Sequence, residues 1–450
     1  MTIGSRSWKA RANLANLQCF SEKRSLRGIS AFSRPQAIIL TFACLGSLSS
    51  TLLYPTVVWT DSYHYLSSAK SIFTSDFQAH YFWNREPGYP VLLKFLNGIS
   101  NNQSVVISAV QGLILGTSAI LPAYFIFLSQ PKSLRVLNKS FIYISPIIFL
   151  TPQYFGYSSS LLKQTPIVLF AALSVSLINS SQRRQIRKTV FLVFTGTLIS
   201  SFFSISAAWF WTSASIVAGF ILASNAYQPQ VAKVLDLVAR LALILGLFII
   251  SMTASWLGRS TWNSVRASVA PTSDLTLPSV STSSVMTNLL QDPTDFFSTG
   301  IRRVFSLTML GPTDGGGVKN NEIMSEVQLY AGKECGHFDF YEKPDELIEY
   351  TSYLKQSCRP KWGTSIARSF HPVGSISYKL TMVAIAIAFL LALRRHDNTV
   401  AFTIAIALLF LMFYSFGGQY TNDRYGLPLF PFGIMSLIYL KATARGERSI

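Results

Sequence analysis

Residues 37–65 of this chain read AIILTFACLGSLSSTLLYPTVVWTDSYHY. The first part of this stretch is an apolar run of about twenty residues, the length that an α-helix needs to cross a bilayer. The run ends on Asp61, which is followed by two tyrosines and a histidine instead of bland interfacial residues. An ionisable residue at the edge of a membrane is costly unless it is solvated or paired, so it marks a candidate functional group. The stretch therefore predicts a membrane span with a polar site at its outer end.

The composition of the whole chain also indicates a membrane protein. Of the 450 residues, 50% are hydrophobic and 13% are charged, whereas a soluble domain carries about a quarter charged residues. The mean hydropathy is +0.35. We therefore predict an all-α polytopic membrane protein with about ten transmembrane helices. The predicted spans are residues 36–58, 105–128, 141–153, 164–180, 189–204, 206–224, 237–256, 376–393, 399–416 and 426–441.

Three of the predicted spans are weaker than the others. Residues 141–153 contain Pro146 and Pro152, and residues 189–204 are separated from 206–224 only by the serine-rich stretch SSFFSIS. A re-entrant or kinked helix fits one of these segments as well as a straight span does, because irregular backbone is tolerated where it faces protein or water.

The net charge of +18 lies mainly in short segments between the apolar runs. If the N-terminus is inside, basic residues dominate the inner segments, and basic and acidic residues nearly balance outside, as the positive-inside rule requires. The charge is thus explained by topology and not by nucleic-acid binding. This topology predicts both termini in the cytoplasm and two long segments outside, residues 59–104 and 257–375.

These boundaries divide the chain into four parts. Residues 1–35 form a basic tail, for which a cytoplasmic tail touching anionic lipid and an organellar transit peptide both fit. Residues 36–256 form an N-terminal transmembrane module that includes the first outside loop, 59–104. Residues 257–375 form a late outside loop or small subdomain, and residues 376–450 form the C-terminal transmembrane helices and a cytoplasmic tail.

The late outside loop contains Cys335 and Cys358. In an oxidising compartment these two residues form a plausible disulfide pair, and two free thiols are the alternative. The chain has no Cys/His cluster with zinc spacing and no Walker loop for phosphate. The sequence therefore predicts no cofactor, although it leaves a divalent metal open.

The first outside loop carries the candidate site. Tyr63 and His64 follow Asp61 closely enough to hydrogen-bond to it or to line a polar cleft, and SSAKSIF continues as an amphipathic surface helix. The stretch REPGYP then supplies Arg85 as an anion-binding group, with prolines and a glycine that turn the chain into the next span. A cleft at the membrane edge suits a substrate that is half lipid and half sugar, with a carboxylate as general base and arginines on a leaving phosphate.

These motifs resemble the GT-C superfamily of integral-membrane glycosyltransferases. The resemblance rests on a first span that ends on Asp61, on the Arg-x-Pro-x-Tyr-Pro pattern of REPGYP, and on the Arg-Tyr pair in NDRYGLP. It is strongest to the bacterial family related to protein mannosyltransferases and the lipid A aminoarabinose transferase. It covers the first 180 residues well, the last 75 loosely, and the large loop hardly at all.

The resemblance implies a site residue by residue. Asp61 matches the catalytic aspartate, which acts as base on the acceptor hydroxyl. Arg85 and Arg424 match arginines that bind the donor phosphate, and Lys163, in YSSSLLKQTP, stands where many relatives have an acidic residue but is able to reach a phosphate. The predicted pocket is completed by Tyr63, His64, Glu86, Tyr89 and Tyr425.

The resemblance also implies partners and a location. The donor is a polyprenyl-phosphate sugar, the acceptor is a glycolipid, a glycan or a protein, and the transfer is inverting. The active site faces the periplasm or a lumen, and the expected location is a bacterial inner membrane. Because this chain has a single TDS in place of a paired acidic motif, no metal is implied.

Two other functions remain open at this point. A lipid-linked sugar flippase or transporter is one, although no inverted repeat is visible. An O-antigen-type polymerase or ligase is the other, and it would use arginines of the late loop, such as Arg302 and Arg303, on a lipid diphosphate.

Overall fold

The computed structural model describes most of the apolar segments and parts of the connections between them. The described residues are 34–54, 65, 68–69, 72–73, 86–98, 103–127, 144–146, 148–149, 151–158, 163–225, 233–269, 289–310, 366, 369–417 and 423–444. All regular structure in these residues is helical, and none of it is a strand.

The helices are numbered in chain order. They are α1 (Arg34–Leu53), α2 (Gly88–Asn97), α3 (Gln103–Phe127), α4 (Pro152–Phe155), α5 (Gln164–Ser174), α6 (Ser176–Gln182), α7 (Ile186–Phe203), α8 (Ile205–Asn225), α9 (Lys233–Val269), α10 (Pro293–Phe305), α11 (His371–Arg395), α12 (Asn398–Gly417) and α13 (Phe430–Ala444). Short helical turns at Gly156–Ser158, Ser306–Leu310 and Asp423–Leu429 follow α4, follow α10 and precede α13.

Nine candidate membrane spans occur among the described residues. They are Gln36–Leu53, Val105–Ile126, Gln164–Gln182, Ile186–Phe203, Ile205–Ser224, Asp236–Val265, His371–Arg395, Asn398–Phe416 and Gly426–Ala444. Each is long and apolar enough to cross a bilayer. The chain is therefore a polytopic helical membrane protein, and nine of the ten predicted spans correspond to these helices.

The third predicted span, residues 141–153, is not a continuous helix where the structure describes it. The described residues 144–146 and 148–149 are helical, Thr151 is extended, and α4 begins at Pro152. Pro152 explains the break at Thr151, because a proline disfavours the helical conformation of the residue before it and is favoured as the first residue of a helix.

The interrupted segment is nevertheless buried inside the protein. The Tyr54 hydroxyl donates to the Phe149 carbonyl oxygen at 3.0 Å, and the Tyr154 hydroxyl donates to the Leu115 carbonyl oxygen at 2.9 Å. Further along, the hydroxyl of Ser50 in α1 donates to that of Ser158. These bonds satisfy irregular backbone and polar groups that lipid could not.

The closest helix contact joins α1 and α3 through glycines. A Cβ atom built on Gly116 would lie 2.2 Å from the Phe42 carbonyl oxygen, and one on Gly112 would lie 2.5 Å from the Gly46 carbonyl oxygen. Gly112 and Gly116 form a GxxxG pattern, which lets two membrane helices approach backbone to backbone.

The helices α7, α8 and α9 form a second close unit. A single residue, Ser204, connects α7 to α8 in an extended conformation, so the fifth and sixth predicted spans are indeed separate helices. The Ser251 hydroxyl of α9 lies 3.0 Å from the Thr197 hydroxyl of α7 and 2.9 Å from the Thr212 hydroxyl of α8. Hydrogen bonds between such side chains hold membrane helices together.

Helix α9 is longer than its predicted span. It has 37 residues, about 55 Å at the usual rise, and continues to Val269. The helix therefore continues past residue 257, where the late outside loop was predicted to begin, because polar residues that extend a helix beyond the hydrocarbon do not appear in a hydropathy pattern.

Aromatic stacking joins the N-terminal and C-terminal helices. The rings of Phe210 and Phe410 stack with centroids 3.7 Å apart, and those of Tyr154 and Phe430 stack at 4.4 Å. The two predicted transmembrane modules thus share one hydrophobic core.

Candidate functional site

The segment that starts at Glu86 brings three parts of the chain together. One oxygen of the Glu86 carboxylate accepts from the Lys163 ammonium at 2.6 Å, and the other accepts from the backbone N–H of Ile205 at 3.4 Å. Lys163 directly precedes α5, and Ile205 is the first residue of α8. We call Glu86, Lys163, Ser204 and Ile205 the Glu86 site.

The start of α8 is suited to hold a carboxylate. The first amides of a helix have no intrahelical partner, and the helix dipole adds positive charge there. In α8, the Ile205 amide donates to Glu86 and the Ser206 amide donates to the Ser204 hydroxyl at 3.2 Å. The helix break at Ser204 thus leaves the backbone amides at the start of α8 free of intrahelical partners, and the site uses them as hydrogen-bond donors.

The ion pair of the Glu86 site is largely removed from solvent. The exposed fraction of the Lys163 side chain is 10% and that of the Glu86 side chain is 20%. A pair of this kind is favourable only when its geometry is good and further hydrogen bonds satisfy both groups. Within the part of the chain that the structure describes, the other ion pair is Arg240–Asp236 in α9, between residues one helical turn apart.

Gly88 explains how the segment approaches the end of α7. A Cβ atom at this position would lie 2.8 Å from the Phe203 ring and 2.9 Å from the Phe202 carbonyl oxygen. The glycine of REPGYP is therefore required by a close approach, and it seats the start of α2 on the turn between α7 and α8.

Two tyrosines pack beside this segment. Tyr65 and Tyr89 are fully buried, and their rings meet edge to face with centroids 5.0 Å apart. Burial raises the pKa of Tyr89 well above its usual value, and the nearby Tyr65 raises it further. The Tyr89 phenol therefore stays protonated and can donate a hydrogen bond.

The predicted surface helix after Asp61 is helical at residues 65, 68 and 69, and residues 72–73 form a turn. Tyr65, Ser68, Ala69 and Ile72 are buried, at the spacing of one helix face, whereas Phe73 is exposed. The Lys94 ammonium of α2 donates to the Ile72 carbonyl oxygen at 2.5 Å. This contact ties the loop to α2, the short helix that precedes the second span.

The turn Asp423–Leu429 carries the Arg-Tyr pair and packs against α5, the helix that follows Lys163. A Cβ atom on Gly426 would lie 2.3 Å from the Leu307 carbonyl oxygen and 2.8 Å from the Tyr378 hydroxyl. The backbone of this turn is therefore held between α5, α11 and the end of α10. The side chains of Arg424 and Tyr425 lie outside the described residues.

Several predicted residues cannot be placed in this site. Asp61, Tyr63, His64, Arg85, Cys335 and Cys358 lie outside the described residues. Of the predicted site residues, Glu86 and Lys163 are brought into direct contact, and Tyr89 lies three residues after Glu86 on the same segment. In the described part of the chain, no group of three acidic, histidine or cysteine side chains could hold a metal ion.

Two features of the site were not predicted. The contact between Glu86 and Lys163 joins residues 77 positions apart, which no local pattern indicates. The role of the α8 N-terminus had a signal in the sequence, because the stretch SSFFSIS marked the break that frees the Ile205 amide.

No family model matches this chain, and neither a curated protein nor a solved structure does. The class that the fold defines is a multi-pass helical membrane protein whose Glu86 site lies where the helices α5 and α8 begin.

Proposed function

We propose that the chain is an inverting membrane glycosyltransferase that moves a sugar from a polyprenyl-phosphate donor to a lipid, glycan or protein acceptor on the outer face. In this proposal, Asp61 takes the proton from the acceptor hydroxyl as that oxygen attacks the anomeric carbon. The bond from this carbon to the donor phosphate breaks, and the polyprenyl phosphate leaves with the electron pair.

The observation that carries this proposal is the Glu86–Lys163 ion pair at the start of α8. It fixes the segment that follows Arg85 where two apolar helices begin. In the proposal, the phosphate of the lipid-linked donor would bind there. The turn that carries Arg424 packs on the same helix, α5, that follows Lys163. Arg85 and Arg424 would stabilise the charge that develops on the leaving phosphate.

Lys163 has a double role in the proposal. Its ammonium has three N–H donors, one of which is directed at Glu86. In the proposal, a donor phosphate would bind beside the Glu86–Lys163 ion pair, and Tyr89, three residues after Glu86, would be a neutral hydrogen-bond donor on the same segment.

The test is sugar transfer by the purified protein in detergent. Radiolabelled polyprenyl-phosphate sugars serve as donors, and a membrane and glycolipid extract of the source organism serves as acceptor. We expect Asp61→Asn to lower the transfer rate by at least about 100-fold, because it removes the general base, while donor binding is retained.

Asp76→Asn is the matched control, since Asp76 is an acidic residue of the same outside loop. It should keep close to the wild-type rate. Equal transfer by the wild type and Asp61→Asn would remove Asp61 from catalysis and favour a polymerase or ligase that uses Arg302 and Arg303. Translocation of a fluorescent lipid-linked sugar without transfer would favour a flippase.

A further inference from the structure

Three helix ends meet at a part of the protein that the proposed transfer reaction does not use. They are the turn between α6 and α7, the turn between α11 and α12, and the last turns of α13. The Gln182 side-chain amide donates to the Thr399 hydroxyl at 2.7 Å, and the Tyr439 hydroxyl donates to the Asp397 carboxylate. These bonds hold the three helix ends together.

The two turns carry a concentration of positive charge. The exposed cationic side chains of these turns and of the adjoining helix ends are called the basic cluster. They are Arg183, Arg184, Arg187, Lys188, Arg394 and Arg395. Within residues 176–190 and 390–400, the acidic residue is Asp397. Its carboxylate already accepts a hydrogen bond from the Tyr439 hydroxyl. The ion pairs of the described residues involve Lys163 and Arg240 and none of these six cations. The basic cluster therefore carries an excess of positive charge, which would attract an anionic partner.

Exposed apolar side chains lie directly next to these cations. Ile186 and Phe191 of α7 are 51% and 64% exposed, and Leu390 and Leu393 of α11 are 67% and 50% exposed. Both helices are candidate membrane spans, so exposed apolar side chains on them are suited to contact the acyl chains of lipids. The surface thus offers charge for a headgroup and apolar contact for its tails.

We propose that the basic cluster binds an anionic phospholipid, such as phosphatidylglycerol, by its phosphate, with the acyl chains lying along α7 and α11. This inference does not depend on the proposed transferase activity. A soluble phosphate or an acidic peptide would use the cations alone, whereas a phospholipid uses the cations and the exposed apolar residues together. Basic residues at the membrane surface are attracted to anionic lipid in this way.

The experiment compares two lipids on the full chain. Purified protein in dodecyl maltoside receives dioleoylphosphatidylglycerol or dioleoylphosphatidylcholine, and melting temperature and lipid retained in native mass spectrometry are measured. We expect phosphatidylglycerol to raise the melting temperature and phosphatidylcholine to leave it nearly unchanged, since a ligand of the folded state stabilises it. In R183Q/R187Q/R395Q, the apparent Kd for phosphatidylglycerol should rise at least about tenfold.

Two further variants make the result specific. R259Q/R302Q/K379Q removes three exposed cations elsewhere and should bind phosphatidylglycerol like the wild type. R183K/R187K/R395K keeps the charge and should retain most of the affinity, so a loss that is due to misfolding is distinguished from a loss of charge.

Three results would overturn the proposal. Phosphatidylcholine could stabilise the protein as strongly as phosphatidylglycerol does. Inorganic phosphate at the same concentration could give the full effect, which would make the surface an anion site without lipid selectivity. Finally, R183Q/R187Q/R395Q could bind as tightly as the control triple variant.

Discussion

At the scale of single residues, Glu86 decides how the site is held. Its carboxylate has two described partners, the Lys163 ammonium and the Ile205 amide, and each of its oxygens accepts from one of them. Removing one member of a poorly solvated pair leaves the other charge without compensation, which costs more than the pair itself contributes. The double substitution should therefore cost less than the sum of the two single substitutions.

We predict that Lys163→Met lowers the free energy of unfolding by about 3 kcal/mol, because it leaves the Glu86 carboxylate with the Ile205 amide alone. Glu86→Gln should be similarly harmful, since Lys163 then loses its counter-charge. The double variant should lose less stability than the sum of the two single losses, and the difference should be at least about 1 kcal/mol. SDS titration of the four proteins in mixed micelles measures these differences.

The control for this cycle is Arg240→Met, which breaks the Arg240–Asp236 pair within α9. Such a pair contributes only about 0.5 kcal/mol. Strict additivity of Lys163→Met and Glu86→Gln would contradict the coupling, even if both variants were unstable.

At the scale of elements, the contact between α1 and α3 depends on the absence of side chains. Gly46, Gly112 and Gly116 let the two backbones touch, and neither helix gains from a hydrophobic effect once it is in lipid. Close packing is then the main source of affinity between these helices. The candidate site depends on this contact indirectly, because α1 leads into the loop that contains Asp61.

We predict that Gly116→Ala lowers the stability of the protein by about 2 kcal/mol, because its new methyl group would lie 2.2 Å from the Phe42 carbonyl oxygen and force α1 away. Gly246→Ala is the matched control. No atom lies within 4 Å of a Cβ at Gly246, so alanine there should be neutral or stabilising by up to about 1 kcal/mol. Equal melting temperatures for the two variants would show that α1 and α3 are not in backbone contact.

The sequence predicted the helices well where hydropathy alone determines them. Nine of the predicted apolar runs correspond to the nine candidate spans among the described residues. The break at Ser204 was predicted from the serine-rich stretch around it. For residues 141–153, Pro146 and Pro152 already indicated a kinked or re-entrant segment, and where the structure describes this segment the backbone is extended at Thr151. The extension of α9 was missed because its last residues are polar.

The site was predicted less completely, for a different physical reason. Glu86, Tyr89 and Lys163 were identified from motifs, but a motif gives the identity of a residue and not its partner. The pairing of Glu86 with Lys163 and with the first amide of α8 is set by how three helices pack. That information lies in contacts between distant parts of the chain, and no single stretch contains it.

At the scale of the whole molecule, the number of helices fixes which ends share a side of the membrane. Three candidate spans, α7, α8 and α9, begin after Gln185, and Ser264 lies in the last turn of the third of them, Asp236–Val265. If the chain crosses the membrane an odd number of times between two positions, those positions lie on opposite sides of the membrane. Under the positive-inside rule, the basic residues around Gln185 predict that this position lies in the cytoplasm.

We predict that Ser264→Cys reacts with a membrane-impermeant maleimide in intact cells, whereas Gln185→Cys reacts only after the membrane is permeabilised. Both side chains are exposed, so access and not burial should decide the outcome. The background should have Cys19, Cys44, Cys335 and Cys358 replaced by serine. Labelling of both positions in intact cells would contradict three crossings between them.

Biogenesis of α7 and α8 is constrained by their connection through Ser204 alone. A helix of 18 residues and one of 21 residues are joined by one residue, so no polar loop separates them. If one of the two helices crossed the bilayer alone, the other would begin one residue beyond the interface and would leave its apolar side chains in water, which is unfavourable. We therefore expect both helices to reach the translocon before either leaves it, so that the pair enters the lipid as one helical hairpin.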